Sequence, residues 1–369
     1  MLLRRFKKVI RDLWRRLVTP LDPPLMLILG LLVAYAFLVL FSASVDRLQN
    51  QVINLTVALI AMRFVAQVSP QRLMHFALPL YVGGVLLLIG VALFGDVSKG
   101  ARRWLDLGVT RIQPSEIMKI AMPLMLAWYF QKHEAALRWK EFVVSALLLF
   151  IPVALIAKQP DLGTALLVLA VGFYVIFLAG ISWKILTFLA VSGLGSMPLL
   201  WTMLHDYQRN RVLTLLDPEK DPLGKGFHII QSTIAVGSGG IFGKGWGNGT
   251  QTHLEFLPER HTDFIFAVLS EEFGLFGNLI LLVLYALLIG RGLMIAGNAP
   301  TLFSRLMAGS ITLIFFTYAF VNMGMVSGIL PVVGVPLPFM SYGGTALVTL
   351  FIGVGILMSI HKHRMLVQK

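Results

Sequence analysis

The sequence predicts an all-α polytopic membrane protein of about ten transmembrane helices, with a large extracytoplasmic loop between spans seven and eight. Three observations carry this. Of the 369 residues, 57% are hydrophobic and only 13% charged, against roughly 25% charged for a soluble domain. Mean hydropathy is +0.80. Several apolar runs reach the roughly 20 residues that a bilayer demands of a helix, and none shows the ~10-residue alternation of a barrel strand.

The elements follow in order. Residues 1–20 place Leu3, Phe6, Ile10, Leu13, Trp14 and Leu17 at helical spacing among seven Lys and Arg, the pattern of an amphipathic helix lying on an anionic inner leaflet. The uncharged run Leu25 to Val45 is long enough to be an anchor that stays in the chain. Ten spans fit, at approximately 24–44, 51–68, 76–94, 114–131, 142–157, 164–182, 185–204, 265–292, 306–330 and 345–361. No internal repeat or low-complexity linker divides the chain, so residues 1–369 read as one domain. The chain contains no cysteine, which removes disulfides and thiol chemistry.

Net charge is +13. In a membrane protein this reads as cytoplasmic anchoring charge rather than affinity for nucleic acid. With the N-terminus inside, cytoplasmic segments hold 17 of the 31 Lys and Arg and external ones 12, which places both termini in the cytoplasm. Most external cations fall in residues 99–111 and in the loop 205–264. Translocating such clusters runs against the usual bias, so an anionic client is expected there.

The long loop contains SGGIFGKGWGNG. Ser238 and Gly245 break the phosphate-loop pattern, and Phe242 breaks the dinucleotide one. These glycines therefore suit tight turns and close backbone approach. The loop ends in LPERHTDFIFAVLSEEFG (257–274), a dense acid–base cluster at the mouth of an apolar segment. Asp263 has two readings: a helix N-cap, or a general base whose basicity rises beside Phe264, Ile265 and Phe266 and falls beside the helix start and Arg260. Glu259 and His261 are rival bases. Glu116 and Lys119 lie three apart on one face of span four; they read as a structural ion pair lining a polar cavity, ahead of direct chemistry. Asp161, near Lys158, reads as a helix cap ahead of a functional group. Arg63 lies in the inner half of span two and can snorkel. PVVGVPLPFMSYGG (331–344) reads as a rigid re-entrant turn, which must be buried in protein or line a cavity.

LDPEKDPLGKGFHIIQS, SGGIFGKGWGNGTQ, LPERHTDFIFAVLSEE, QPSEIMKI, QPDLGTALL and GILPVVGVPLPFMSYGG resemble the signature blocks of the SEDS family (shape, elongation, division and sporulation). The resemblance runs from about residue 24 to 361. It is closest to the elongation branch, given LPERHTDF, HDYQRNRV and the short tails. The resemblance implies a peptidoglycan glycosyltransferase that polymerises lipid II on the outer face of the bacterial inner membrane, beside a class B penicillin-binding protein that supplies the transpeptidase. It implies that Asp263 is the family's essential loop aspartate, and that Glu116, Lys119 and Asp161 match its further motif positions.

That chemistry needs a carboxylate to take a proton from the acceptor hydroxyl and cations for the departing diphosphate. Arg102, Arg103, Arg209, Arg211 and Lys244 are available, with His261 as a further substrate contact. No metal ligands are assigned, and a divalent cation is left open. The rival reading of another class is a lipid II flippase, but the inner halves of the spans offer few polar footholds. A non-catalytic scaffold would not need the acid–base cluster.

Overall fold

Each of the ten segments expected to span the bilayer is a helix. In chain order, with their neighbours, the elements are α1 (Pro23–Ala43), α2 (Leu48–Val65), the short α3 (Pro70–His75), α4 (Ala77–Phe94), β1 (Asp96–Ser98), β2 (Ala101–Asp106), β3 (Arg111–Ile112), α5 (Pro114–Lys132), α6 (Trp139–Lys158) and α7 (Leu162–Leu178). Then come α8 (Trp183–Met203), α9 (Asp206–Leu216), α10 (Lys225–Ser238), α11 (Thr250–His253), α12 (Ile265–Gly297), α13 (Leu302–Val326) and α14 (Thr345–His363). The computed structural model describes residues 22–98, 101–106, 111–204, 206–220, 225–254, 256–257 and 259–364. The amphipathic segment expected at 1–20 lies outside them.

Among the described residues seven helices (α1, α2, α4, α6, α12, α13 and α14) are long and apolar enough to cross a membrane, and α7 and α8 are shorter apolar helices. Helix α1 shows how such a helix divides its surface. Leu25, Leu29, Leu32, Ala36, Val39, Leu40 and Ala43 form a buried stripe at helical spacing, while Leu27, Leu31, Leu38 and Phe41 face outward. A helix apolar on all sides can do this only where its outer face meets hydrocarbon. Helix α13 is central and packs on α5, α7, α12 and α14.

Two features depart from an all-helical expectation. Strands β1, β2 and β3 form a small antiparallel sheet, pairing Val97 with Arg102 and Leu105 with Ile112. Backbone groups between two helices need partners, and the hairpin supplies them while β2 packs on α4 and α5. The long loop, for its part, holds α9, α10 and α11, so much of its backbone is satisfied internally. Residues 331–344 are non-helical and bury Val335, Leu337, Phe339 and Met340, which fits irregular backbone enclosed by protein.

Helix α12 is broken at Gly274, whose φ is +63°. The break strands two carbonyls and two N–H groups that a buried helix cannot leave unpaired. The glycine-rich loop splints it. The N–H groups of Lys244 and Gly245 donate to the carbonyls of Glu271 and Glu272, both at 3.0 Å, while Leu275 and Phe276 donate to the carbonyls of Gly240 and Ile241 at 2.9 and 3.0 Å. The chains meet so closely that a Cβ on Gly243 would lie 2.1 Å from the Glu272 oxygen. Close backbone approach is thus what these glycines serve, at a helix break.

Candidate active site

Asp263 stands where the loop enters α12, but it does not cap the helix. Phe264 occupies the N-cap position, without a side-chain cap hydrogen bond. The backbone around it is stitched to the buried 331–344 segment. Ser341 Oγ donates to the Thr262 carbonyl at 2.6 Å and Tyr342 N–H to the His261 carbonyl at 2.8 Å. Asn322, on α13, donates through its amide to the carbonyls of Asp263 (2.8 Å) and Val335 (2.7 Å). The amide nitrogen of Leu337 donates in turn to Ser341 Oγ at 2.8 Å, so the anchor is itself anchored.

So held, Asp263 lines a cavity of about 400 Å³ together with Arg103 from β2, Arg211 and Thr214 from α9, His228 and Ile229 from α10, Glu259, Phe264, Val332, Val333 and Gly334. One half-buried carboxylate and two guanidiniums therefore share a single chamber. Glu259 also lines it, in the left-handed region with φ +53°.

A second cavity, of about 750 Å³, lies between α2, α5 and α14. Its walls are mainly apolar (Val57, Ile117, Ile120, Val348 and Ile352 among them), with Asn54, Gln113, Glu116, Thr345 and Thr349 as polar exceptions. The polar cavity expected around the Glu116–Lys119 pair is thus an apolar one, because the facing helices present aliphatic side chains. The pair itself is buried. Lys119 Nζ lies 2.5 Å from Glu116 Oε1 and also donates to the Tyr318 hydroxyl at 2.5 Å, while Glu116 Oε2 is buried without a partner.

Asp161 separates the two chambers. Its carboxylate caps α7 by accepting from the Thr164 N–H at 3.4 Å, receives Gln113 Nε2 at 3.4 Å, and lies 3.7 Å from Arg103 Nε. Gln113 faces the apolar cavity and Arg103 the polar one, so a carboxylate holds the wall between them.

The remaining candidates are elsewhere. Arg209 donates to the carbonyls of Trp201 (3.0 Å) and Thr202 (2.5 Å) at the end of α8. Lys244 donates to Glu271 Oε1 at 2.8 Å. Glu271 is fully buried and takes four further donations, from Thr250 Oγ1, Gln251 N, Thr252 N and Thr252 Oγ1. Lys244 therefore belongs to the seam between the glycine loop and α12. His261 packs edge-on against Tyr342, with ring centroids 5.6 Å apart. None of these three is among the residues lining the Asp263 cavity. The side chain of Arg102 lies outside the described residues. Among the described residues no three His, Asp or Glu side chains stand together as cation ligands.

Residues 23–366 match the FtsW/RodA/SpoVE model, described as cell cycle protein. The chain belongs to this family. Among its relatives, the peptidoglycan glycosyltransferase MrdB of Escherichia coli K12 is 54% identical over 353 residues, 95% of each chain. Stage V sporulation protein E of Bacillus subtilis is 36% identical, covering 97% of this chain and 98% of that one. Solved structures agree. A chain from a peptidoglycan synthase complex that coordinates polymerisation and crosslinking superposes with a TM-score of 0.80 at 37% identity, covering 93% of this chain and 98% of its own. The rod shape determining protein RodA of Thermus thermophilus does so with a TM-score of 0.71 at 32% identity, covering 93% and 97%.

Asn322, Tyr318 and Glu271 carry no assignment from sequence. Asn322 and Tyr318 are polar positions inside an otherwise apolar helix, a signal that was there to be read. Glu271 stands within the acid–base cluster, yet its cradle of donors comes from a segment about 20 residues earlier, which no local pattern reveals.

Proposed function

We propose that this chain is a peptidoglycan glycosyltransferase that polymerises lipid II on the outer face of the bacterial inner membrane during elongation. Its ten helices all span the membrane, both termini face the cytoplasm, and loop 205–264 is extracytoplasmic. The observation that carries the mechanism is Asp263 sharing a cavity with Arg103 and Arg211.

The 4-hydroxyl of the acceptor N-acetylglucosamine attacks the anomeric carbon of the lipid-linked glycan. As that C–O bond forms, the hydroxyl proton passes to the Asp263 carboxylate. The bond from the anomeric carbon to the diphosphate breaks, and the diphosphate leaves with the electron pair. Arg103 and Arg211 stabilise the negative charge that develops on it. A single displacement inverts the anomeric centre, as in one-step glycosidases. The neighbouring apolar cavity suits the hydrocarbon chain of a lipid substrate, and only the Gln113–Asp161–Arg103 wall stands between it and the reaction chamber. A class B penicillin-binding protein is the partner; likeness to a chain of a peptidoglycan synthase complex supports this.

Purified chain with its partner, given lipid II, tests the reading. Asp263→Asn should lose on the order of 10²–10⁴ of the polymerisation rate, the usual contribution of a general base, while keeping its fold and partner binding. Near-normal polymerisation by that variant would remove Asp263 from the chemistry.

A further inference from the structure

His228 lines the Asp263 cavity and enters none of the steps above. Two packing relationships fix it. Helix α10 buries Ile229, Ser232 and Ala235, which sets the helix's rotation and leaves His228, next to Ile229, at the cavity wall. Its ring stacks on Phe264, centroids 5.9 Å apart and planes 17° from parallel. Phe264 is buried and directly follows Asp263 in the chain. One peptide unit therefore holds the imidazole in register with the carboxylate.

The ring is also held neutral. An imidazolium needs acceptors for two N–H groups, yet Nδ1 is buried with no hydrogen-bond partner. Burial pushes the His228 pKa below its ordinary value, and the Glu259 carboxylate offsets this only in part. A neutral imidazole suits a sugar hydroxyl or amide better than a diphosphate, for which the same cavity already holds Arg103 and Arg211.

We propose that His228 binds the acceptor sugar, its imidazole fixed on Phe264 and hydrogen-bonded to the N-acetyl sugar whose hydroxyl Asp263 deprotonates. This rests on the assignment of Asp263 as the base. The imidazole adds no charge and takes no proton; it places the acceptor.

The test uses the full chain with its transpeptidase partner, lipid-linked glycan at saturation as donor, and lipid II varied as acceptor. His228→Phe keeps the stack and removes both nitrogens, whereas His228→Gln keeps an N–H donor of similar reach. The Phe variant should raise the acceptor KM by about ten- to a hundredfold with kcat within about threefold, and Gln should restore most of the loss. An unchanged acceptor KM in His228→Phe, while Asp263→Asn is inactive, overturns the role of His228 and leaves the base in place. A normal Asp263→Asn overturns both. A loss confined to kcat would put the imidazole in proton transfer, and equal losses in Phe and Gln would make it packing; either overturns acceptor binding. If His228→Phe is not recovered folded, His228→Asn, too short to reach the sugar, is read by the same criteria.

Discussion

Asn322 bridges Asp263 and Val335: one buried side-chain amide, on the central helix α13, donates to both main-chain carbonyls, at 2.8 and 2.7 Å. Asp263 and the non-helical 331–344 segment are thereby fixed to the same point of the core. Replacing Asn322 by Leu removes both donors at once and leaves two carbonyls short of a partner. Each such loss costs about 1–3 kcal/mol, so thermal unfolding in detergent should shift down clearly. Polymerisation should fall further than folding explains, because a misplacement near 1 Å can cost on the order of a hundredfold. A destabilised variant with full activity well below its melting temperature would show that other contacts place Asp263.

A second prediction concerns Glu116 and Lys119. Both are buried, and each single change to Ala strands the other charge, at about 3–5 kcal/mol. Exchanging them, with Glu116→Lys and Lys119→Glu, keeps a pair and leaves the Tyr318 hydroxyl free to donate to the new carboxylate. Stability and activity should both recover in part. Restored folding with no activity would instead show that Glu116, whose second oxygen is unpartnered at the apolar cavity, acts on the substrate.

How legible was this in the sequence? The helical state of the ten apolar segments was, because apolar runs are local properties, although only seven described helices are long and apolar enough to cross a membrane. The location of Asp263 at the entry to α12 was, since charge gives way to hydrocarbon there within a few residues. Its partners were not. Arg103 reaches Asp161 across 58 positions of chain, and Asn322 reaches Asp263 across 59. The glycines of the long loop signalled close approach, but the helix they approach is named only by the left-handed Gly274 and the four hydrogen bonds of the splint. Lys244 looked like a substrate cation because sequence counts its charge without seeing that buried Glu271 neutralises it.

That splint makes a third prediction. Gly243 and Gly240 both have positive φ, +79° and +56°, but a Cβ on Gly243 would strike the Glu272 carbonyl, whereas one on Gly240 meets nothing within 4 Å. Gly240→Ala should cost only the left-handed conformation, roughly 1–2 kcal/mol. Gly243→Ala must also push the loop off the broken helix and loosen the hydrogen bonds that satisfy it. Its melting temperature should therefore fall well below that of Gly240→Ala. Equal shifts would mean that backbone conformation alone selects these glycines.

The last prediction sorts the cations, and with them the enzyme and flippase readings. Arg103 faces the reaction cavity, and its planar guanidinium can hold a diphosphate through paired hydrogen bonds that Lys cannot reproduce. Arg103→Lys should weaken use of the lipid diphosphate by about ten- to a hundredfold, the loss of one hydrogen bond to a charged group. Arg209 instead caps the end of α8, so Arg209→Lys should leave substrate use nearly unchanged. Lys244→Met should act through stability, because it deprives the fully buried Glu271 of its cation, at about 3–5 kcal/mol. The decisive measurement is single-turnover polymerisation on lipid II already placed in the outer leaflet. There Arg103→Lys should be defective, since the reaction occurs after the lipid has crossed. A variant normal on outer-leaflet substrate, yet failing when lipid II must cross from inside, would move this arginine from the reaction to transport.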